Sequence, residues 1–275
     1  MFVDRLQFCA TLLGSMALAA LPRVAASQAS PALRLDTPTA VDMAGRLRML
    51  SQRTTKAYLQ WGLSVAPDSA RALLQGSIER FDAHLAALKS FQPTPAVQAS
   101  LPPLQERWTD FKAMLAGDPS RKGAAELYDA SELLQQAAHR ATLAYVNATE
   151  SPLSHLIGIA GRQRMLSQRM AKFYLYRAWE LHDAPADMEL HLSRAHFTAV
   201  LIQLESSPRM APPAKAAATR VRRAWEAYQE PLFASKEPAL LRQGAGRVVE
   251  ESERTLAASE ELVALLVAQA QGQPQ

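Results

Sequence analysis

The chain has 275 residues, of which 48% are hydrophobic, and carries 30 lysine and arginine residues against 26 aspartate and glutamate residues. A net charge of only +4 does not favour a nucleic-acid-binding protein, and the length suffices for one large or two small hydrophobic cores. The only cysteine, Cys9, lies near the N-terminus, so the rest of the chain has no thiol for a disulfide or a thiolate metal site.

Residues 1–26 have the pattern of a secretory signal peptide. An apolar run from Phe8 to Leu21 is followed by small residues at Val24-Ala25-Ala26. We expect cleavage near Ala26 or Ala29 and a periplasmic protein; the alternative is an uncleaved N-terminal anchor. No later apolar stretch approaches the roughly 18 residues needed to span a bilayer.

The remaining sequence is rich in alanine and leucine, and its apolar residues recur with a helical period, which predicts an all-α protein. Helix-breaking segments divide it into eight predicted helices, the first from about Thr37 to Val65, the third from Ala96 or Pro102, and the fifth from Pro152 with Ser151 as its cap. The breaks lie at 66–68, 92–95, 117–119, 150–152, 184–185, 207–213 and 235–238.

A motif in the first predicted helix recurs in the fifth. Residues 44–53 read Ala-Gly-Arg-Leu-Arg-Met-Leu-Ser-Gln-Arg, and residues 160–169 repeat this with one change, at an offset of 116 residues. Trp108-x-x-Phe111 likewise matches Trp225-x-x-Tyr228, and Ser131-Glu132 weakly matches Ser252-Glu253. The chain is therefore a tandem duplication of four helices. We predict two up-down-up-down bundles, at 33–150 and 151–271, packed side by side as a pseudo-dimer.

Helical phase gives the first helix two packing faces. One is the core face of its own bundle. The other carries small residues and one arginine, and we infer that it packs against its copy in the fifth helix. Arg48 and Arg164 lie in this seam, where two guanidinium groups repel each other and need acceptors. A planar oxyanion between the two guanidinium groups would offset their repulsion and accept their hydrogen bonds. The alternative is a structural pairing of the arginines with carboxylates or carbonyls.

A third face of these helices holds further basic residues. For Arg46 and Arg162 the favoured interpretation is a solvated basic face, which they share with Lys56 and Lys172. Arg53 and Arg169 lie on the same face, but their side chains are long enough to bend toward the seam. The glutamates at 250, 251, 253, 260 and 261 are also interpreted as a solvated face, and Trp108 and Trp225 as core residues.

The motif resembles that of the N-terminal domain of type IV pilus chemotaxis transducers, the PilJ-type domain. It is also similar to the periplasmic sensor domain of nitrate- and nitrite-sensing histidine kinases. In those kinases the domain is a four-helix bundle that dimerises through its first helix and holds the anion at the dimer interface. The resemblance implicates Arg48 and Arg164 first, then Gly45 and Gly161. Arg53 and Arg169 are implied as assisting residues.

The sequence departs from the nitrate sensors at Arg46 and Arg162, which follow the pilus-transducer version of the motif. We predict a soluble periplasmic sensor-like protein, a monomeric pseudo-dimer, that binds a small oxyanion, nitrate or nitrite favoured, and signals to a membrane-bound sensor or chemoreceptor. The alternative is a helical interaction module that binds no small ligand. The six scattered histidines do not have metal-site spacing, and the sequence indicates no cofactor, no nucleic-acid partner and no enzyme.

Overall fold

The computed structural model describes residues 35–272. The predicted signal peptide, 1–26, lies outside the described residues. Within 35–272 the chain forms eight α-helices and no strand, which confirms the all-α prediction. The helices are α1 (Thr37–Gly62), α2 (Pro67–Lys89), α3 (Pro95–Met114), α4 (Arg121–Asn147), α5 (Pro152–Ala178), α6 (Asp183–Glu205), α7 (Pro212–Phe233) and α8 (Pro238–Gln271).

Local sequence explains where most helices begin. Proline stands at the first or second position of α1, α2, α3, α5, α7 and α8, where its fixed φ suits the helix and its missing N–H is not needed. Asp36, Thr94 and Ser120 cap α1, α3 and α4 by accepting a backbone N–H three residues ahead. Because Thr94 caps it, α3 begins at Pro95, one residue before the earlier of the two predicted starts, and Pro102 lies inside it.

The duplication extends to the backbone of two connections. Between α1 and α2, Ser64 and Ala66 adopt left-handed φ values of 57° and 45°. Between α5 and α6, Glu180 and His182 adopt 55° and 51° at the equivalent positions, 116 residues later. Residues other than glycine rarely adopt this conformation. Both turns therefore reverse the chain with the same unusual geometry.

Each repeat forms its own bundle. α1 packs against α2 and α4, and α3 against α4; α5 packs against α6 and α8, and α7 against α8. The rings of Phe81 and Trp108 lie 3.8 Å apart in the first core, and those of Phe197 and Trp225 lie 4.5 Å apart in the second. Both tryptophans are buried, as predicted.

The two bundles join along α1 and α5, which confirms the predicted pseudo-dimer. The two helices run parallel, since the equivalent residues Gly45 and Gly161 both lie beside the same pair of arginines. α8 of the second repeat also contacts α1, and α4 of the first contacts α5, so each central helix is covered on a third side. Among the eight helices of residues 35–272, none is both long and apolar enough to cross a membrane.

Candidate functional site

Four of the six predicted site residues meet at the seam between α1 and α5. A Cβ atom on Gly45 would lie 3.4 Å from Nη2 of Arg164 and 3.6 Å from Nη2 of Arg48. A Cβ atom on Gly161 would lie 3.3 Å and 3.5 Å from the same two nitrogens. The two glycines therefore leave the space in which both guanidinium groups rest against the helix backbones.

Arg48 is buried at this seam without a counter-charge. Its side chain has 2% of its surface exposed. Nη2 donates to the carbonyl oxygen of Gly158 at 3.0 Å, and Nη1 lies 3.3 Å from Nδ1 of His139. Within residues 35–272, Nε has no hydrogen-bond partner, and no carboxylate forms an ion pair with this guanidinium. Arg48 is thus a buried cation whose hydrogen-bonding capacity is only partly used.

Arg164 is equally buried but has a carboxylate beside it. Its Nη2 lies 2.6 Å from Oδ1 of Asp42 and 3.4 Å from the carbonyl oxygen of the same residue. Its Nε and Nη1 have no hydrogen-bond partner among the described residues. Asp42 occupies the repeat position of Gly158, so both arginines contact the backbone of equivalent residues. Only Arg164 gains an acidic side chain there.

The pKa shifts reflect this difference. Burial, together with the neighbouring Arg162 and Arg164, lowers the pKa of Arg48 to about 9. Burial also lowers the pKa of Arg164, but Asp42 opposes the effect. Burial alone would raise the pKa of Asp42, yet Arg164 and Arg46 hold it below its usual value. The charged form of Arg164 is therefore compensated by the protein, whereas that of Arg48 is not.

Arg53 lies on the flank of the seam, at the contact between α1 and α8. Its guanidinium and the ammonium of Lys56 both pair with the carboxylate of Glu253. Lys56 also donates to Oγ of Ser252 at 3.0 Å. Burial would raise the pKa of Glu253, but Lys56 and Arg53 lower it below its usual value. This cluster ties the second repeat to the first.

Arg169 makes the equivalent contact between α5 and α4. It pairs with Glu132, as does Lys172, which also donates to Oγ of Ser131 at 3.1 Å. A second carboxylate, that of Glu189, lies 2.8 Å from Nη2 of Arg169. The structure therefore places Arg53 and Arg169 against carboxylates on opposite flanks, while Arg48 and Arg164 meet in the seam.

The predicted solvated basic face is wrong for Lys56, Lys172 and Arg46, whereas Arg162 is half-buried and forms no ion pair among the described residues. Lys56 and Lys172 are fully buried, and Arg46 pairs with Asp42 and Glu260. The physical reason is that α8 and α4 cover this face of α1 and α5, which the periodicity of one helix cannot reveal. The solvated interpretation is also wrong for the glutamates at 253 and 260, which pair with arginines of α1, and for the glutamate at 251, which is buried.

Sequence reasoning missed the acidic partners of the motif. Glu132, Glu253 and Asp42 were not singled out as partners of its basic residues. The signal that could have found two of them was the weak match between Ser131-Glu132 and Ser252-Glu253, because a repeated acidic residue is a natural partner for a repeated basic one. Asp42 gave no such signal, since the second repeat has a glycine at that position.

The fold and the seam define a class of protein: two tandem four-helix bundles that form a dimer-like unit within one chain. The family model described as type IV pili methyl-accepting chemotaxis transducer N-term matches residues 36–139 and again 145–258. These matches cover more than half of the chain, which therefore belongs to this family and carries its domain twice. The family is one of sensory rather than catalytic domains. Comparisons with curated proteins and with solved structures gave no match.

Proposed function

We propose that this protein is a periplasmic sensory binding protein that holds a small oxyanion, nitrate or nitrite favoured, between Arg48 and Arg164. The membership of both repeats in a chemotaxis-transducer family supports the sensory part of this proposal. Occupancy of the seam would be passed to a membrane-bound sensor or chemoreceptor. The motif glycines, Gly45 and Gly161, give the arginines room to face each other.

The observation that carries the proposal is the set of unused donors in the seam. Arg48 Nε, Arg164 Nε and Arg164 Nη1 are buried and have no hydrogen-bond partner among the described residues. Each unsatisfied donor costs roughly 1–3 kcal/mol, and each charge-assisted hydrogen bond to an anion gains about 1.5–3 kcal/mol. Three or four such bonds reach the roughly 8 kcal/mol of micromolar binding.

A second function is favoured by one specific contact. Asp42 already supplies a counter-charge to Arg164. In a helical interaction module without a ligand, the two arginines would serve only to hold the repeats together, through Asp42 on one side and the Gly158 carbonyl on the other. A sensor that binds an oxyanion should become more stable when the anion is added, whereas an interaction module without a ligand should not.

Thermal unfolding of the purified protein separates them. Nitrate, nitrite, sulfate and chloride are compared as sodium salts at equal ionic strength. An oxyanion present at about 100 times its Kd adds about 2.7 kcal/mol to the free energy of unfolding. We expect Arg48→Gln and Arg164→Gln each to abolish this gain. The exposed Arg220, which pairs with Glu261 on the surface, is the matched control, and Arg220→Gln keeps the gain.

The stability of the variants without anion adds a second readout. Because Arg48 is a buried cation without a carboxylate, Arg48→Gln should cost little stability in an anion-free buffer. No gain with any of the four salts, or an undiminished gain in both arginine variants, would leave the interaction module as the better function. Arg53→Gln and Arg169→Gln then test the predicted assisting role: an anion response equal to that of the unchanged protein would remove both from the site.

A further inference from the structure

The two repeats place unlike charges at equivalent positions beside the seam. We define the first cluster as Asp42, Arg46, Arg164 and Glu260, and the second cluster as Gly158, Arg162, Arg48 and His139. These residues correspond in that order, by the offset of 116 in the motif helices and of 121 in the last helix of each repeat. Aspartate is thus exchanged for glycine and glutamate for histidine, while all the arginines are kept.

The arginines of the first cluster are neutralised by ion pairs within the cluster. Nη1 of Arg46 lies 2.7 Å from Glu260, and its Nε lies 3.1 Å from Asp42. Asp42 also lies 2.6 Å from Arg164. Both arginines of this cluster therefore have carboxylate partners from the protein itself.

The second cluster has the same two arginines and neither acidic side chain. Arg162 forms no ion pair and no side-chain hydrogen bond in the part of the chain that the structure describes. Among residues 35–272, the Arg48 side chain hydrogen-bonds only to the Gly158 carbonyl oxygen and His139. Two cationic side chains thus lie side by side, one of them buried, without a carboxylate.

A cavity of about 250 Å³ opens onto this cluster. Arg48, His139 and Arg162 line it, together with apolar and polar side chains of α4, α5 and α6; Arg164 does not. Among them are the apolar Met165, Leu166 and Leu192, together with His196 and the ion pair of Arg169 with Glu189. The cavity is slightly smaller than the roughly 300–1,000 Å³ pockets of drug-sized ligands, and far larger than one water requires.

We propose that this cavity binds a small organic carboxylate, with its carboxylate group between Arg48 and Arg162 and its carbon atoms against Met165, Leu166 and Leu192. The guanidinium fork matches a planar carboxylate in a bidentate manner. Such a ligand would supply to Arg48 and Arg162 the negative charge that Asp42 and Glu260 supply to the arginines of the first cluster. The inference goes beyond the proposed function, because it concerns a lateral cavity in which Arg164 takes no part.

His139 gives the cavity a dependence on pH. Burial, together with Arg48, Arg162 and Arg140, lowers the pKa of His139 to about 4. The other charged or titratable groups that face it across the cavity are His196, Arg169 and Glu189, the last two paired with each other. A bound carboxylate adds a negative charge beside the imidazole and raises its pKa. Binding is therefore expected to take up a proton and to strengthen as the pH falls from about 6.5 toward 5.5.

Calorimetric titration of the full protein with acetate, propionate and succinate tests the proposal, with nitrate for comparison. We expect one site per chain and an affinity that falls about tenfold or more in Arg162→Gln, since one charge-assisted contact is lost. Arg46→Gln is the matched control, because Arg46 occupies the equivalent motif position in the first cluster. Its loss should change the affinity for carboxylates less than about twofold. His139→Gln should remove the pH dependence.

The outcomes separate this site from the seam. Arg164→Gln is expected to abolish the nitrate response and to leave carboxylate binding intact. Arg162→Gln is expected to weaken carboxylate binding about tenfold or more and to leave the nitrate response intact. The cavity proposal is overturned if none of the three carboxylates binds, or if Arg46→Gln weakens their binding as much as Arg162→Gln does. Loss of the nitrate response in Arg162→Gln but not in Arg164→Gln would instead overturn the seam site.

Discussion

The first and second clusters are two versions of one charge arrangement, and they differ in how its positive charge is compensated. In the first, Asp42 and Glu260 pair with both arginines. In the second, Gly158 and His139 stand at those positions, and Arg48 and Arg162 keep their charges without a carboxylate. A symmetric homodimer cannot make this distinction, because every residue appears on both sides of its axis. Fusion of the two copies into one chain allows one side to become structural while the other remains available to a ligand.

The largest expected effect distinguishes the clusters by stability. Asp42→Asn should lower the free energy of unfolding by about 3 kcal/mol, since it leaves the buried Arg164 without its counter-charge. Arg162→Gln, in the second cluster, should cost less than about 0.5 kcal/mol because no ion pair is lost. Urea unfolding of both variants measures the difference. Equal losses of unfolding free energy would show that the positive charge of the second cluster has a partner in the protein after all.

A smaller effect extends the comparison to the flanks of the seam. Glu253→Gln leaves both Lys56 and Arg53 without a carboxylate and should cost about 2–3 kcal/mol. Glu132→Gln should cost about 1–2 kcal/mol, since Arg169 retains Glu189. Urea unfolding of the two variants side by side checks the order. The reverse order would contradict the assigned ion pairs.

The second cluster can be converted toward the first by one substitution. His139→Glu places a carboxylate beside Arg48 and Arg162, and we expect it to stabilise the protein by about 1 kcal/mol. The same variant should no longer bind carboxylates in the lateral cavity. The melting temperature and a calorimetric titration are the two measurements. A destabilised variant that still binds carboxylates would break the comparison between the clusters.

The smallest expected effect is a difference in pH dependence. The pKa of His139 in the folded protein, about 4, lies below its unfolded value of 6.5. Between these values the unfolded chain binds more protons, so stability is lost as the pH falls from 6.5 toward 4. His139→Gln should lose about 1 kcal/mol less than the unchanged protein over this range. Parallel urea titrations at pH 4.5 and 7 measure it, and identical losses would contradict a neutral His139.

The fold was largely predictable because its signals are local. Proline, glycine and capping residues mark the helix ends, and the helical period of apolar residues marks the faces. The recurrence of the motif with a single change predicted the pairing of α1 with α5, and with it the meeting of Arg48 and Arg164. The environment of Lys56 was not predictable in this way, because α8, almost two hundred residues away, covers it.

By itself, the sequence determined eight helices, a duplication and a pair of arginines in a seam of small residues, since each depends on local pattern or on direct repetition. Only the tertiary structure decided which arginine has a counter-charge. The presence of a counter-charge depends on which side chains of α4 pack beside α5 and which side chains of α8 pack beside α1. Asp42 and Glu260 pair with their arginines on one side. On the other, Gly158 and His139 provide no carboxylate, and a cavity lined by His139 lies beside Arg48 and Arg162.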